Sequence, residues 1–290
     1  MSHAVAIGSA LLASFVAAVG IVVRQAALRN SVVDGGSAGA VAVLRDRLWW
    51  AGTTAAIAGY AFQALALAHG SLLLVQPMLV SSLLFVLPLS AMRSGNRVPG
   101  SEWAWATLLT AALAVFVLVG QPREGHYRSA TPAWVLALAA AAPVILAVVA
   151  ARRTADRVRA TWLGVAVALL LGMIAVLTKT CTHRYAEGGW HALLTVPAPY
   201  VLVGLAVAAT VLQQWAFHAG ALQASVPIML VGEPVVAVML GIVVLGEHLT
   251  AHGPGAVALP AAIAAMLAAT IALARGEGAE TERATSTPRS

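Results

Sequence analysis

Charge is scarce in this chain. Only 10% of its 290 residues are charged and 60% are apolar, with a mean hydropathy of +0.88. A soluble domain carries about 25% charged residues, so an ordinary water-facing surface is excluded. Long apolar runs separated by short charged loops point instead to a polytopic membrane protein. Cysteine is nearly absent too. Cys181 stands alone, which rules out an internal disulfide and a cysteine-based metal site. The first apolar run, 4–27, lacks a basic leader and is long enough to span, so it is not an obvious signal peptide. No nucleophile–base pair, zinc spacing or phosphate loop is found. His248 and His252, four apart on a loop, are too weak a signal for a metal site. The reading is therefore not an enzyme, with no cofactor and the identity of any metal unknown. The net charge of +6 comes from loop arginines and no nucleic-acid module accompanies it. It bears on membrane orientation rather than on nucleic acid.

About 20 apolar residues cross the hydrocarbon as a helix. The sequence predicts nine spans, at 4–27, 48–68, 71–92, 103–120, 133–151, 161–178, 200–219, 221–245 and 255–274. The turns His69-Gly70 and Ala219-Gly220 are very short, and glycine suits a helix end that turns left-handed. The basic residues fix the direction. With the N-terminus outside, Arg29, Arg45, Arg47, Arg93, Arg97, Arg152, Arg153, Arg157, Arg159, Arg275, Arg283 and Arg289 are inside. Only Arg123, Arg128 and Arg184 are outside. That asymmetry predicts a multi-pass plasma-membrane protein with its C-terminus in the cytoplasm. Residues 1–274 form one transmembrane domain, and the polar stretch 275–290 reads as a disordered cytoplasmic tail.

What the chain does have is a motif that occurs twice. A single offset of 150 lays Gln63 on Gln213, Gly70 on Gly220, Leu72 on Leu222 and Pro77 on Pro227. Glutamine is scarce, so the coincidence has weight. The two copies enter the membrane from opposite sides, which makes the repeat inverted, with one half at about 4–120 and the other at about 131–274. Inverted repeats place a substrate site near the midplane and let the halves exchange access.

The segment PVVAVMLGIVVLGEHLTAHGPGA contains Pro234, Leu245, Gly246, Glu247, Leu249, Thr250 and Gly255. It resembles the drug/metabolite transporter (DMT) superfamily, the EamA-like proteins, which repeat a Pro-led helix, a Leu-Gly-Glu-x-Leu-Thr stretch and a Gly-started helix. The first half keeps the Pro helix but has Arg97 where the offset predicts the glutamate. The resemblance implies a ten-helix fold lacking its first helix. The nine-helix form, with QPMLVSSLLFVLPLSA in it, is similar to the NIPA-like magnesium transporter branch.

Glu233 is the sharpest candidate site residue. It sits mid-span in Gly232-Glu233-Pro234, where a carboxylate costs about 2.5–3.5 kcal/mol on insertion scales. Pro234 frees a carbonyl one turn earlier. With Gly232, Pro77 and Pro227 it is read as a hinge or broken-helix element. Irregular backbone at such depth is tolerated where it lines a cavity. Gln63, Gln213, Gln214 and Ser82 are further substrate- or ion-binding candidates, with helix–helix glue as the plainer reading of the glutamines. Gln76, Ser81 and Ser225 are polar residues that would line a path. Arg24 and Lys179 are read as snorkelling to the interface, or, if inward, as charge partners of Glu233. Glu247, at a span end, is expected to be solvated.

These residues predict an all-α secondary transporter or permease moving a small polar solute by alternating access, with protonation of Glu233 linked to transport. A NIPA-like magnesium or divalent-cation transporter is the alternative. A non-transporting scaffold or lipid-handling protein is the alternative of another class. The partners expected are a small-molecule or ion substrate and the lipid bilayer, with a homodimer as a further option.

Overall fold

The computed structural model describes residues 2–33, 47–94, 99–123, 125, 133–218, 222–250 and 255–286. The chain is helical almost throughout. In order, the elements are α1 (Ser2–Val33), α2 (Arg47–His69), α3 (Leu72–Leu79), α4 (Ser82–Ser94), α5 (Gly100–Gly120), β1 (Pro122–Arg123), α6 (Ala133–Arg152), α7 (Asp156–Leu194), α8 (Ala198–His218), α9 (Leu222–Leu245), β2 (His248–Leu249) and α10 (Gly255–Ser286). Among the described residues, eight stretches are long and apolar enough to cross a membrane. They are Ala4–Val23, Trp50–His69, Leu72–Leu89, Gly100–Gly120, Val158–Leu194, Ala198–Ala216, Pro227–Leu245 and Val257–Arg275. The remaining expected span, 133–151, is helical as α6, and its described apolar part is Ala141–Arg152. Helices satisfy every backbone group within one segment, which is why an apolar chain of this kind takes them.

Three boundaries differ from the sequence reading. The span expected at 161–178 continues as α7 to Leu194, with non-helical backbone at Gly188 and Gly189 bending its far end. Glycine accepts the positive φ of 63° at Gly189. The final helix runs on to Ser286, so the backbone of 275–286 is helical where the sequence suggested a disordered tail. That segment is rich in Ala, Glu and Arg, all good helix formers, and has no proline before Pro288. The third change is a break in the span expected at 71–92, between α3 and α4.

Small residues let the helices close on one another. On α1 and α2, a Cβ added to Gly20 would lie 3.1 Å from the Gly52 carbonyl oxygen, while one on Gly59 would meet Ala13 and Ala17. The residue numbers run in opposite senses, so these helices are antiparallel. On α7 and α9 the senses agree. Gly164 meets Ser225 and Ile228, Gly232 meets Ala168, and Gly172 meets Val236 and Ala237. These two helices are therefore parallel, as the single crossing by α8 between them requires.

Helices α3 and α9 run oppositely. Gly70, just before α3, bonds through its carbonyl to Lys179 on α7. Ser225, near the start of α9, lies against Gly164. Gly164 and Lys179 are about 22 Å apart along α7 at 1.5 Å per residue. Thus α3 enters at one end of the bundle and α9 at the other. The turn at 219–221 and the side chain of Arg24 lie outside the described residues.

Candidate functional site

Helix α3 is a buried half-span. All of Leu72 to Met78 is buried, including Gln76 and Pro77. Its N-cap is Ser71, whose Oγ accepts from the Leu74 amide at 3.2 Å. Pro77 has no N–H for the Leu73 carbonyl, and the helix ends two residues later. The chain then tightens into i→i+3 bonds, Val80 N to Pro77 O at 3.2 Å and Ser81 N to Met78 O at 3.1 Å, before α4 begins at Ser82. The buried carbonyl of Met78 is also met by side chains. Ser81 Oγ donates to it at 2.6 Å and Ser14 Oγ, from α1, at 3.1 Å. A broken backbone is held here because hydroxyls replace the missing ladder.

Helix α9 packs against the start of α3. A Cβ on Gly241 would lie 3.3 Å from Leu72 Cβ. Carrying that antiparallel register inward at 1.5 Å per residue sets Gln76 level with Ala237 and Val80 level with Glu233, about 12 Å from the Leu72 end. Glu233 is about one turn before the fully buried Ala237 on the same face, and one residue after Gly232, which packs on α7. The exposed Val235 and Met239 mark a different face. The Glu233 side chain is thus turned into the bundle and is partly exposed there. Among the described residues it has no hydrogen-bond or ion-pair partner. One turn away, the Gln76 side chain is fully buried and its Nε2 has no partner among the described residues.

The other hinge candidates behave differently from expectation. Helix α9 is continuous through Pro227, Gly232 and Pro234. Missing amides at the two prolines do not break it, because the bare Gly232 lets Ala168 pack directly against its backbone. The irregular backbone anticipated there is found in the third span instead. Ser82 starts α4 and is partly buried. Gln63 and Gln213 are partly buried on α2 and α8, while Gln214 is exposed. Among the described residues, no hydrogen bond between Glu233 and Gln63 or Gln213 is formed. Ser225 is fully buried at the opposite end from Gly70.

The largest correction concerns Glu247 and Lys179. Glu247 is not solvated. Its side chain is 0% exposed and forms an ion pair of 2.9 Å with Lys179, the chain's single lysine, which is 11% exposed. Oε1 takes both Lys179 Nζ and the Leu72 amide at 2.9 Å, and Oε2 takes the Leu73 amide at 3.0 Å. Two free amides at a helix start favour an anion. Lys179 Nζ also donates to Gly70 O at 2.9 Å. Nor does Lys179 serve Glu233. Gly232 packs at Ala168, eleven residues before Lys179, so the two charges differ in depth by about 16 Å.

Local geometry delivers Glu247 to this place. Gly246 takes a φ of +66°, which ends α9 in a left-handed turn. Glu247 N then donates to Gly241 O at 3.1 Å. The chain continues into β2, which pairs antiparallel with β1 (Pro122 opposite Leu249). Thr250 N donates to Gly120 O and its Oγ1 to Gln121 O, both at 3.1 Å. The Leu-Gly-Glu-x-Leu-Thr stretch therefore caps α3, neutralises a lysine and staples two loops.

Eight apolar stretches among the described residues, a proline-broken half-span and a mid-span carboxylate define a multi-pass all-α membrane protein. Over 284 residues the chain is 35% identical to the uncharacterized protein Cgl0250/cg0304 of Corynebacterium glutamicum, covering 94% of this chain and 96% of that one. It belongs to the same family as that protein. No protein-family model matches the chain, and no solved structure does.

Proposed function

We propose that this protein is a secondary transporter of the drug/metabolite transporter type, built as an inverted repeat and moving a small polar solute across the plasma membrane by alternating access. One observation carries the reading: the break at Val80–Ser81 lies at the depth of Glu233, on a helix running the other way. Irregular backbone and a carboxylate without a partner among the described residues both cost free energy in hydrocarbon, and both are tolerated where they line a solute path. Half-helices meeting near the midplane are the recurring site of repeat-built transporters. The opposite directions of α3 and α9 agree with the inverted repeat, and the positive-inside asymmetry supports N-outside, C-inside. In this reading Glu233 binds solute or proton, Gln76 joins the site, and the protein is not an enzyme.

The magnesium alternative has less support. Hard cations want about six oxygen ligands, and no group of three or more His, Cys, Asp or Glu side chains is gathered among the described residues. A thermal-shift screen of small polar solutes in detergent, followed by flux in proteoliposomes, tests the proposal. A solute that raises the melting temperature and is carried supports it. Flux of magnesium alone would replace it with the alternative, and ligand-independent stability with no flux would favour a scaffold.

A further inference from the structure

We propose that Lys179 and Glu247 are the gate at the outer end of the transport path, and that the structure holds this gate shut. The proposal rests on the transporter reading above and extends it from the midplane site to its access. The pair joins the two halves of the chain. Lys179 on α7 and Glu247 after α9 come from the second half, and Gly70, Leu72 and Leu73 from the first. By contrast, the glycine-mediated approaches of α1 to α2 and of α7 to α9 lie within one half. Halves that move as bodies keep such contacts and part at the bonds between them.

Two further observations bear on it. A cavity of about 100 Å³ adjoins the pair, lined among others by Thr182, His183, Ala186, Leu245, Lys179 and Glu247. Thr182, His183 and Ala186 lie on the stretch of α7 beyond the expected span, so the cavity is on the outward side. A polar cavity of this size has room for water, which would hydrate the pair as it parts from Gly70, Leu72 and Leu73. On the inward side, about 6 Å along α3 from Leu72, the buried Gln76 Nε2 has no partner among the described residues. Buried polar groups normally have partners. Opening the gate brings water or solute to this one. Cavity, ion pair, orphan amide and Glu233 then follow one another in depth.

The test uses Gln76→Cys as a reporter in a Cys181→Ser background, labelled by an impermeant thiol reagent from the outer face of whole cells. Closed-gate labelling is slow. Adding Lys179→Met with Glu247→Gln removes both charges and is expected to raise the rate about tenfold through a population shift. Ser225→Cys, near the start of α9 and packed on Gly164 at the other end of α7, is labelled from the inner face, and its rate is expected to fall as the gate opens. If the double variant does not fold, Glu247→Asp keeps the charge with one methylene less of reach and is expected to give about a threefold rise. No change at position 76, or an equal rise at both reporters, overturns the gate. Labelling needs no solute, so the outcomes separate. Carried solute with an unresponsive position 76 sinks the gate alone, and a responsive position 76 with no carried solute sinks the transporter reading.

Discussion

Removing either partner of the Lys179–Glu247 pair should destabilise the fold, and removing both should cost less than the two losses added. Taking one charge from a buried pair typically costs about 3–5 kcal/mol, because the other is stranded. Lys179→Met should fall near the lower end. Glu247 keeps the Leu72 and Leu73 amides and the favourable N-terminus of α3, an environment worth about 0.3–1 kcal/mol and up to about 2 when partly buried. Glu247→Gln should fall near the upper end. It strands Lys179 on the Gly70 carbonyl and leaves one of the two α3 amides without an acceptor. The double variant strands no charge, so the coupling should be about 2–3 kcal/mol. Unfolding in detergent, followed by reaction of the partly buried Cys181 with a thiol-reactive fluorophore, measures all four proteins in one assay. Single variants within about 0.5 kcal/mol of wild type, as for surface substitutions, and additive in combination, would refute the reasoning.

Other outcomes follow from the same geometry. Ser14→Ala removes one of two hydroxyls on the Met78 carbonyl and should cost about 1 kcal/mol by the same assay. Gly172→Leu should cost about 1–3 kcal/mol or more by overpacking, because even a Cβ there would lie 2.5 Å from Val236 Cγ1. Gln76→Leu replaces a buried donor that has no partner among the described residues with an apolar group of similar size. It should stabilise the closed form by about 1–3 kcal/mol while slowing flux. A loss of stability there would show that the amide is needed where it is.

Hydropathy made the spans readable, since each apolar run has only one way to satisfy its backbone in lipid. Pro77 marked the break in the third span because a missing amide acts locally. Pro227 and Pro234 carry the same local signal, yet α9 continues through them. The difference is tertiary. Ser14 supplies a hydroxyl to Met78 across 64 residues, and Gly232 admits Ala168. Neither contact leaves a pattern in sequence order. Glu247 was placed in water on the sound rule that span ends are wet. The left-handed turn at Gly246 folds it back instead onto a helix start 175 residues earlier and a lysine 68 residues earlier.

Flux in proteoliposomes, with and without an imposed pH gradient, compared between wild type and Glu233→Gln, tests the central claim most directly. Glutamine mimics the protonated acid. The account predicts that wild-type flux of the solute found by screening responds to the gradient, and that the variant still binds that solute but loses the response. Equal gradient dependence in both proteins, with unchanged stability, would contradict a role for Glu233 in transport.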